Sequence, residues 1–301
     1  MGDSTAKKLV ETLQGAADKI DQLNALVKEK DEMLSKAIEI LQHSTKPDMF
    51  CDGVPLMFDL QDHIRHLDKI REWKPFKAWL KNLKTSGIKI NYVNIQSIDM
   101  FGQNIGFMKC KCDAKNKDNK PLPGIVFMRG NSVAILILIQ SENKVYTVLV
   151  KQDRVPVGQS IYEIPAGMLD NNTFKSAAVK ELHEEVGITI RSDSEHFTEL
   201  SDGVYPSPGG SDECISLCVY RAIATPDQIS KLNKRQTGET SEDEHITVFV
   251  ETFDEALNKC KDMKFFSAIA LYIEKFKHDL YSGVTENFQG EQIQIEEAHA
   301  P

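Results

Sequence analysis

The sequence is short of the features that mark several large protein classes. Only six of its 301 residues are cysteine, with no Cys-x-x-Cys pair and no ladder of cysteines and histidines. Neither a disulfide framework nor a structural zinc site has ligands at suitable spacing, so free thiols in a reducing compartment are expected. Long apolar runs are missing too. Val133–Ile139 is the longest, far short of the ~20 residues that a membrane helix needs. No secretory apolar segment opens the chain, and Ala6 stands where myristoylation after Met1-Gly2 wants serine or threonine. Basic residues are in deficit, 36 Lys and Arg against 45 Asp and Glu, for a formal charge of −9. A protein that grips nucleic acid by its phosphates needs the opposite balance. No Gly-Lys-Ser/Thr or Gly-x-Gly-x-x-Gly phosphate loop occurs. These absences predict a soluble, cytoplasmic protein without a membrane or nucleic-acid partner.

The most informative stretch that is present runs from Pro165 to Ile188. It reads as a loop opening into a helix, with Asn172 or Thr173 to cap its start and Gly187 to end it. Ala178, Leu182 and Val186 recur at i, i+4 and i+8 and form one apolar stripe. At about 100° per residue, Glu181, Glu184 and Glu185 fall on a strip beside that stripe, with Glu185 at the buried margin. Three carboxylates this close repel one another unless a cation lies between them, and Mg²⁺ prefers such hard oxygen ligands. Taken alone, Glu-x-x-Glu-Glu is more often a solvated acidic face.

Its surroundings divide into four parts. Residues 1–46 carry Leu13, Ile20, Val27, Leu34 and Leu41 at sevenfold spacing, with Leu9, Ala16, Leu23 and Ala37 in the second seam and Lys30 as its polar exception. A repeat held this long predicts a coiled coil that buries the seam against a second copy, and Pro47 ends it. Residues 47–123 predict a smaller α/β domain: two helices over 62–84, then alternating strands after Gly87 and a polar loop over 113–123. Residues 124–285 alternate strand-like runs with helices, including strands near 125–128, 133–139, 145–150, 161–164, 214–222 and 246–250. A helix over 265–276 closes that domain. Residues 286–301, polar and acidic, predict a disordered tail.

Ala166-Gly167 followed by Glu181-Leu182-x-Glu184-Glu185-x-Gly187-Ile188 resembles the signature of the Nudix hydrolases. This resemblance implies an α/β/α sandwich with a mixed sheet and a divalent-cation-dependent cut in a diphosphate linked to another group. Three departures stand out. Lys180 replaces the usual arginine, the loop after Gly167 is one residue short, and Thr173 stands where a glutamate is usual. Lysine keeps the charge but lacks the planar fork of arginine. Ser207-Pro208-Gly209-Gly210-Ser211-Asp212-Glu213 further resembles a loop of the ADP-sugar and ADP-ribose branch. Residues 99–107 resemble the N-terminal domain of plant-type ADP-sugar diphosphatases, which implies a homodimer.

Carried onto this chain, the resemblance implies Mg²⁺, or Mn²⁺, held by the Ala166 carbonyl with Glu181, Glu184 and Glu185. Glu184 also counts as catalytic. Glu244, just before the strand at Ile246, would be the general base, with Glu242 as second choice. Arg129, Arg154, Glu163 and Gly167 would contact the substrate, Arg154 being favoured because a guanidinium offers several donors in one plane. The expected reaction turns ADP-glucose or ADP-ribose into AMP and a sugar phosphate. Two alternatives stay open: a hydrolase of UDP-sugars or of broader range, and a catalytically weak nucleotide-sugar sensor whose coiled coil recruits a partner.

Overall fold

In the computed structural model the described residues are 14–16, 19–35, 49–169, 174–191, 193–238, 245–277, 280 and 288–296. The chain divides into two units, Met1–Trp73 with Lys77–Ile125 and Lys74–Phe76 with Val126–Pro301.

In the N-terminal unit residues 19–35 are helical, and Ile20, Leu23 and Val27 are more than half exposed there. The outer heptads of the predicted coiled coil lie outside the described residues. Strands β1 (Phe50–Cys51) and β2 (Val54–Phe58) precede a 3-10 turn (Gln61–His66) and helices α1 (Leu67–Glu72) and α2 (Lys74–Ser86). Gly87 ends α2 at φ +78°, a conformation that costs other residues sterically. The alternation after it forms a long hairpin, β3 (Lys89–Phe101) and β4 (Asn104–Lys115). The polar stretch expected as a loop over 113–123 is mostly a hairpin turn. β4 runs on to Lys115, and β5 (Pro121–Leu122) pairs back onto it, because Asn116 closes the turn by accepting from the N–H groups of Asp118 and Lys120. Leu56, Ile70, Leu80, Val93, Ile95 and Met108 are buried.

The second unit takes in most of the short strand β6 (Ile125–Met128) and is built around β7 (Ser132–Ser141). This strand is buried along nearly all its length because side chains on alternate positions leave opposite faces. Val133, Ile135, Ile137 and Ile139 enter one core, and Ala134, Leu136 and Leu138 the other. Around it lie β8 (Lys144–Arg154), β9 (Gln159–Glu163), β10 (Ala166–Met168), β11 (Ile188–Thr189), β12 (Phe197–Val204), β13 (Ile215–Ile223), β14 (Gln236–Thr237), β15 (Ile246–Thr252), β16 (Glu291–Gln292) and β17 (Gln294–Ile295). The main sheet runs β12-β13-β7-β8-β15-β14, with β13 parallel to β7 and the other neighbours antiparallel. Helices α3 (Phe174–Glu181) and α4 (Pro226–Leu232) cover the first core. Helices α5 (Phe253–Lys259) and α6 (Met263–Phe276) cover the second. This is an α/β sandwich with a mixed sheet.

Two sequence expectations are corrected here. Residues 288–296 are not a disordered tail: β16 pairs with β13, β17 pairs with β11, and Ile293 is buried in the first core. The Gln-Ile-Gln-Ile alternation at 292–295 carries the two apolar residues that make these strands, although the composition is polar. The carboxylate helix also does not stay α-helical. It is α through Glu181 and then widens into a π-helical turn, Leu182–Val186, before Gly187 ends it at φ +73°. Such widened turns often occur at functional sites.

Candidate active site

The sheet gathers several strand ends on one side. β7 starts at Ser132, opposite the start of its parallel neighbour β13 at Ile215, and β10 pairs with Ser132–Ala134. β8 runs antiparallel to β7, so its last residue, Arg154, reaches the same end, as does the start of β15. The carboxylate helix follows β10 directly in sequence.

Apolar packing seats this helix. Ala177, Ala178, Leu182 and Val186 are all buried in the first core, and they carry Glu185 inward with them until it is only 4% exposed. A buried carboxylate needs a donor, and Glu185 Oε2 accepts the Ala166 N–H at 3.0 Å. That N–H is thereby turned away from β7, so Ala166 and Ala134 form a non-hydrogen-bonded pair. In an extended strand the carbonyl of such a residue faces the same side as its N–H, here the side of Glu185. Glu181 lies against the next residue. A β-carbon on Gly167 would stand 1.8 Å from Glu181 Oε1, so the carboxylate occupies the space that glycine leaves. Glu184 Oε2 meets Lys180 Nζ at 3.0 Å, one α-turn back. Ala166, Gly167, Glu181 and Glu185 are therefore brought together, while the Glu184 carboxylate is turned to Lys180.

The predicted substrate contacts sit on the flanks. Arg154 Nε donates to Glu163 Oε1 at 2.6 Å, and Lys264 Nζ meets Glu163 Oε2 at 3.0 Å. Lys264 also meets Asp262, whose Oδ1 caps α6 through the Lys264 N–H. Burial alone would push Glu163 up, but the charges of Lys264 and Arg154 outweigh it and hold the carboxyl below its ordinary range. Both Glu163 oxygens are engaged, so Glu163 stands behind Arg154 as its anchor. Arg129 Nη2 lies 3.6 Å from Met168 Sδ, on β10 beside Gly167, and its Nη1 lies 3.7 Å from Glu213. The loop 207–213 is fixed to this edge: Asp212 accepts the N–H groups of Arg129 and Gly130, and Gly210 accepts that of Phe127. Burial raises the Asp212 carboxyl despite those bonds.

Glu244 and Glu242, the expected bases, lie outside the described residues, as do the caps Asn172 and Thr173. The chain before residues 239–244 is anchored beside the carboxylates, since Gly238 N–H donates to the Glu184 carbonyl at 3.4 Å. The chain after them returns at Ile246, which pairs with Thr237. Sequence reasoning missed Asp262 and Lys264. The Asp-x-Lys start of a helix following a capped helix is their only signal.

A family model described as NUDIX domain matches residues 128–271. "Nudix hydrolase 14, chloroplastic" of Arabidopsis thaliana is 40% identical over 213 residues, covering 65% of this chain and 69% of that protein. The chain belongs to the Nudix hydrolase family. Two further relatives of this Nudix hydrolase cover 47% of the chain. One is the "ADP-ribose pyrophosphatase" of Bacillus subtilis, 30% identical over 142 residues and matched over 68% of its length. The other is the "Methanol dehydrogenase activator" of Bacillus methanolicus, 31% identical over 142 residues and matched over 69%.

The family's chemistry implies a divalent cation. Among the described residues no three His, Cys, Asp or Glu side chains form a ready-made cage, since Lys180 holds Glu184 and Glu185 turns to Ala166. The donor set nevertheless fits Mg²⁺, which takes hard oxygens and is usually held by one or two carboxylates with water and substrate phosphates rather than by an all-protein cage. Among the described residues no helix is long and apolar enough to cross a membrane.

Proposed function

We propose that this Nudix hydrolase cleaves the diphosphate of a nucleoside-diphosphate sugar, with ADP-ribose or ADP-glucose giving AMP and a sugar phosphate. The observation that carries this reading is the packing of Glu181 and Glu185 against Gly167 and Ala166, beside the ordered loop 207–213. Similarity to the Bacillus subtilis ADP-ribose pyrophosphatase supports the adenine nucleotide. Glu181, Glu184, Glu185 and the Ala166 carbonyl would hold Mg²⁺, or Mn²⁺ in its place. A cation held there would supply positive charge to offset the negative charge of the diphosphate. Arg154, kept in place by Glu163, presents its remaining donors to a phosphate or sugar oxygen. Arg129 and the Gly167 backbone line the same edge. Glu244 takes the proton of the attacking water, a role supported by the anchoring of the chain on both sides of residues 239–244.

One observation favours a second reading. The Lys180–Glu184 ion pair neutralises one of the three carboxylates, which suits a protein that binds a nucleotide sugar without turning it over. Release of the nucleoside monophosphate (AMP, UMP or GMP) from ADP-ribose, ADP-glucose, UDP-glucose and GDP-mannose, with Mg²⁺ and with EDTA, decides between them. Metal-dependent cleavage of the ADP-sugars alone is expected. Equal cleavage of the UDP and GDP compounds would sink the adenine preference, and tight binding without cleavage would put the sensor first. We also propose that two copies associate, supported by the exposed Ile20, Leu23 and Val27.

A further inference from the structure

The carboxylate-bearing turn is held from behind by a segment that the family model does not include. The match ends at residue 271, yet β17 returns to pair with β11, placing Ile295 opposite Ile188 and Gln294 opposite Thr189. The next residue, Glu296, donates its N–H to the Gly187 carbonyl at 3.1 Å. Its side chain meets His183 Nδ1 at 3.2 Å and accepts from Thr189 Oγ1 at 3.4 Å. Its carbonyl accepts from Arg235 Nη1 at 2.8 Å. The Arg235 guanidinium is pressed so close to Gly187 that a β-carbon there would lie 2.6 Å from its central carbon.

A helix end leaves up to four carbonyls without intrahelical partners. Here the carbonyls of Glu184, Glu185 and Gly187 are taken by Gly238 N–H, Thr237 Oγ1 and Glu296 N–H. A guanidinium at a helix C-terminus also suits the negative end of the helix dipole. These donors set how far the π-helical turn is wound, and that winding sets where Glu184 and Glu185 point.

We propose that Arg235 and the returning strand 294–296 are positioning elements for the cation site, so that cation affinity depends on a clasp whose second half, strand 294–296, lies outside the family match. The inference rests on the proposed cation site. Neither Arg235 nor Glu296 reaches the carboxylates of Glu184 or Glu185 in these contacts. They act through the backbone of the turn.

The test is Mn²⁺ binding followed by electron paramagnetic resonance, with melting temperature and Mg²⁺ half-saturation of hydrolysis measured alongside. Arg235→Met keeps an apolar stem and removes the fork. It is expected to weaken Mn²⁺ binding by about tenfold or more, the usual effect of losing a group that orients metal ligands. The Mg²⁺ half-saturation point should rise in step, with kcat at saturating Mg²⁺ changed less. A chain ending at residue 296 should match the full chain, and one ending at 287 should bind more weakly still. If Arg235→Met lowers the melting temperature but leaves Mn²⁺ affinity and Mg²⁺ half-saturation unchanged, the clasp is merely structural and the proposal falls. Glu185→Gln serves as the reference. If it binds Mn²⁺ as tightly as the wild type, the cation site itself is misplaced and both readings fall together.

Discussion

Glu181 Oε1 stands where the side chain of residue 167 would begin, 1.8 Å from the position of a β-carbon on Gly167. The obstructing atoms are the end of a flexible side chain, so a substitution there displaces the carboxylate more than the backbone. Gly167→Ala is expected to lower kcat/KM about 10- to 100-fold, the scale for disturbing a metal-ligand shell. The melting temperature should move by only about 2–4 °C. Wild-type kcat/KM in this variant would show that the position of Glu181 is irrelevant to turnover.

Glu185→Gln separates charge from packing. The amide oxygen can still accept the Ala166 N–H that Glu185 now binds at 3.0 Å, so the fold should persist. Losing the charge is expected to reduce kcat/KM by about 100-fold or more, together with Mn²⁺ binding. Glu244→Gln should divide the same two readouts differently, with kcat falling while Mn²⁺ binding stays. If both properties fall together in Glu244→Gln, the general-base assignment is wrong.

The Arg154–Glu163–Lys264–Asp262 chain carries a pH signature. Lys264 is 16% exposed at its side chain and Glu163 7%, and breaking a buried pair from one side costs about 3–5 kcal/mol. Lys264→Met should lose about that much stability at neutral pH. Glu163 in the folded state holds its proton less readily than its ordinary value of 4.5 implies. Its contribution is therefore full above about pH 4.5 and disappears as pH falls through the lowered folded value. Lys264 is raised above 10.5, since Asp262 and Glu163 outweigh its burial. Its contribution is present below that value and is lost as pH rises through the raised one. The gap between wild type and Lys264→Met, read from urea unfolding, should be widest between those limits and should shrink in acid. A gap that does not change between pH 7 and acid would contradict this account.

Ile20, Leu23 and Val27 are 58%, 61% and 58% exposed on the helix over 19–35. A seam of this kind needs a partner helix to bury it. Ile20→Ser with Val27→Ser should halve the mass seen by light scattering while leaving the melting of the second unit near its original temperature. An unchanged mass would place any dimer contact elsewhere.

Much of this protein is written locally in its sequence. The apolar run of β7, the i, i+4, i+8 stripe of Ala178, Leu182 and Val186, and Gly187 as a helix stop each follow from side-chain periodicity or from one residue's backbone freedom. The family signature is legible for the same reason, because its carboxylates and glycines sit within 25 residues of one another. What the sequence could not decide depends on contacts between distant segments. The widening of the helix at Leu182 has no local marker, and the turn's last carbonyls are satisfied by residues some 50 to 110 positions away. Glu163 reads as a ligand contact in one dimension, yet Lys264, 101 residues on, occupies its second oxygen. The tail is polar by composition, but Ile293 finds a core and Glu296 a helix end once the sheet has formed. Periodicity and spacing set which surfaces exist. Only the folded chain decides which of them meet, because burial and hydrogen-bond satisfaction are properties of the pair and not of either segment alone.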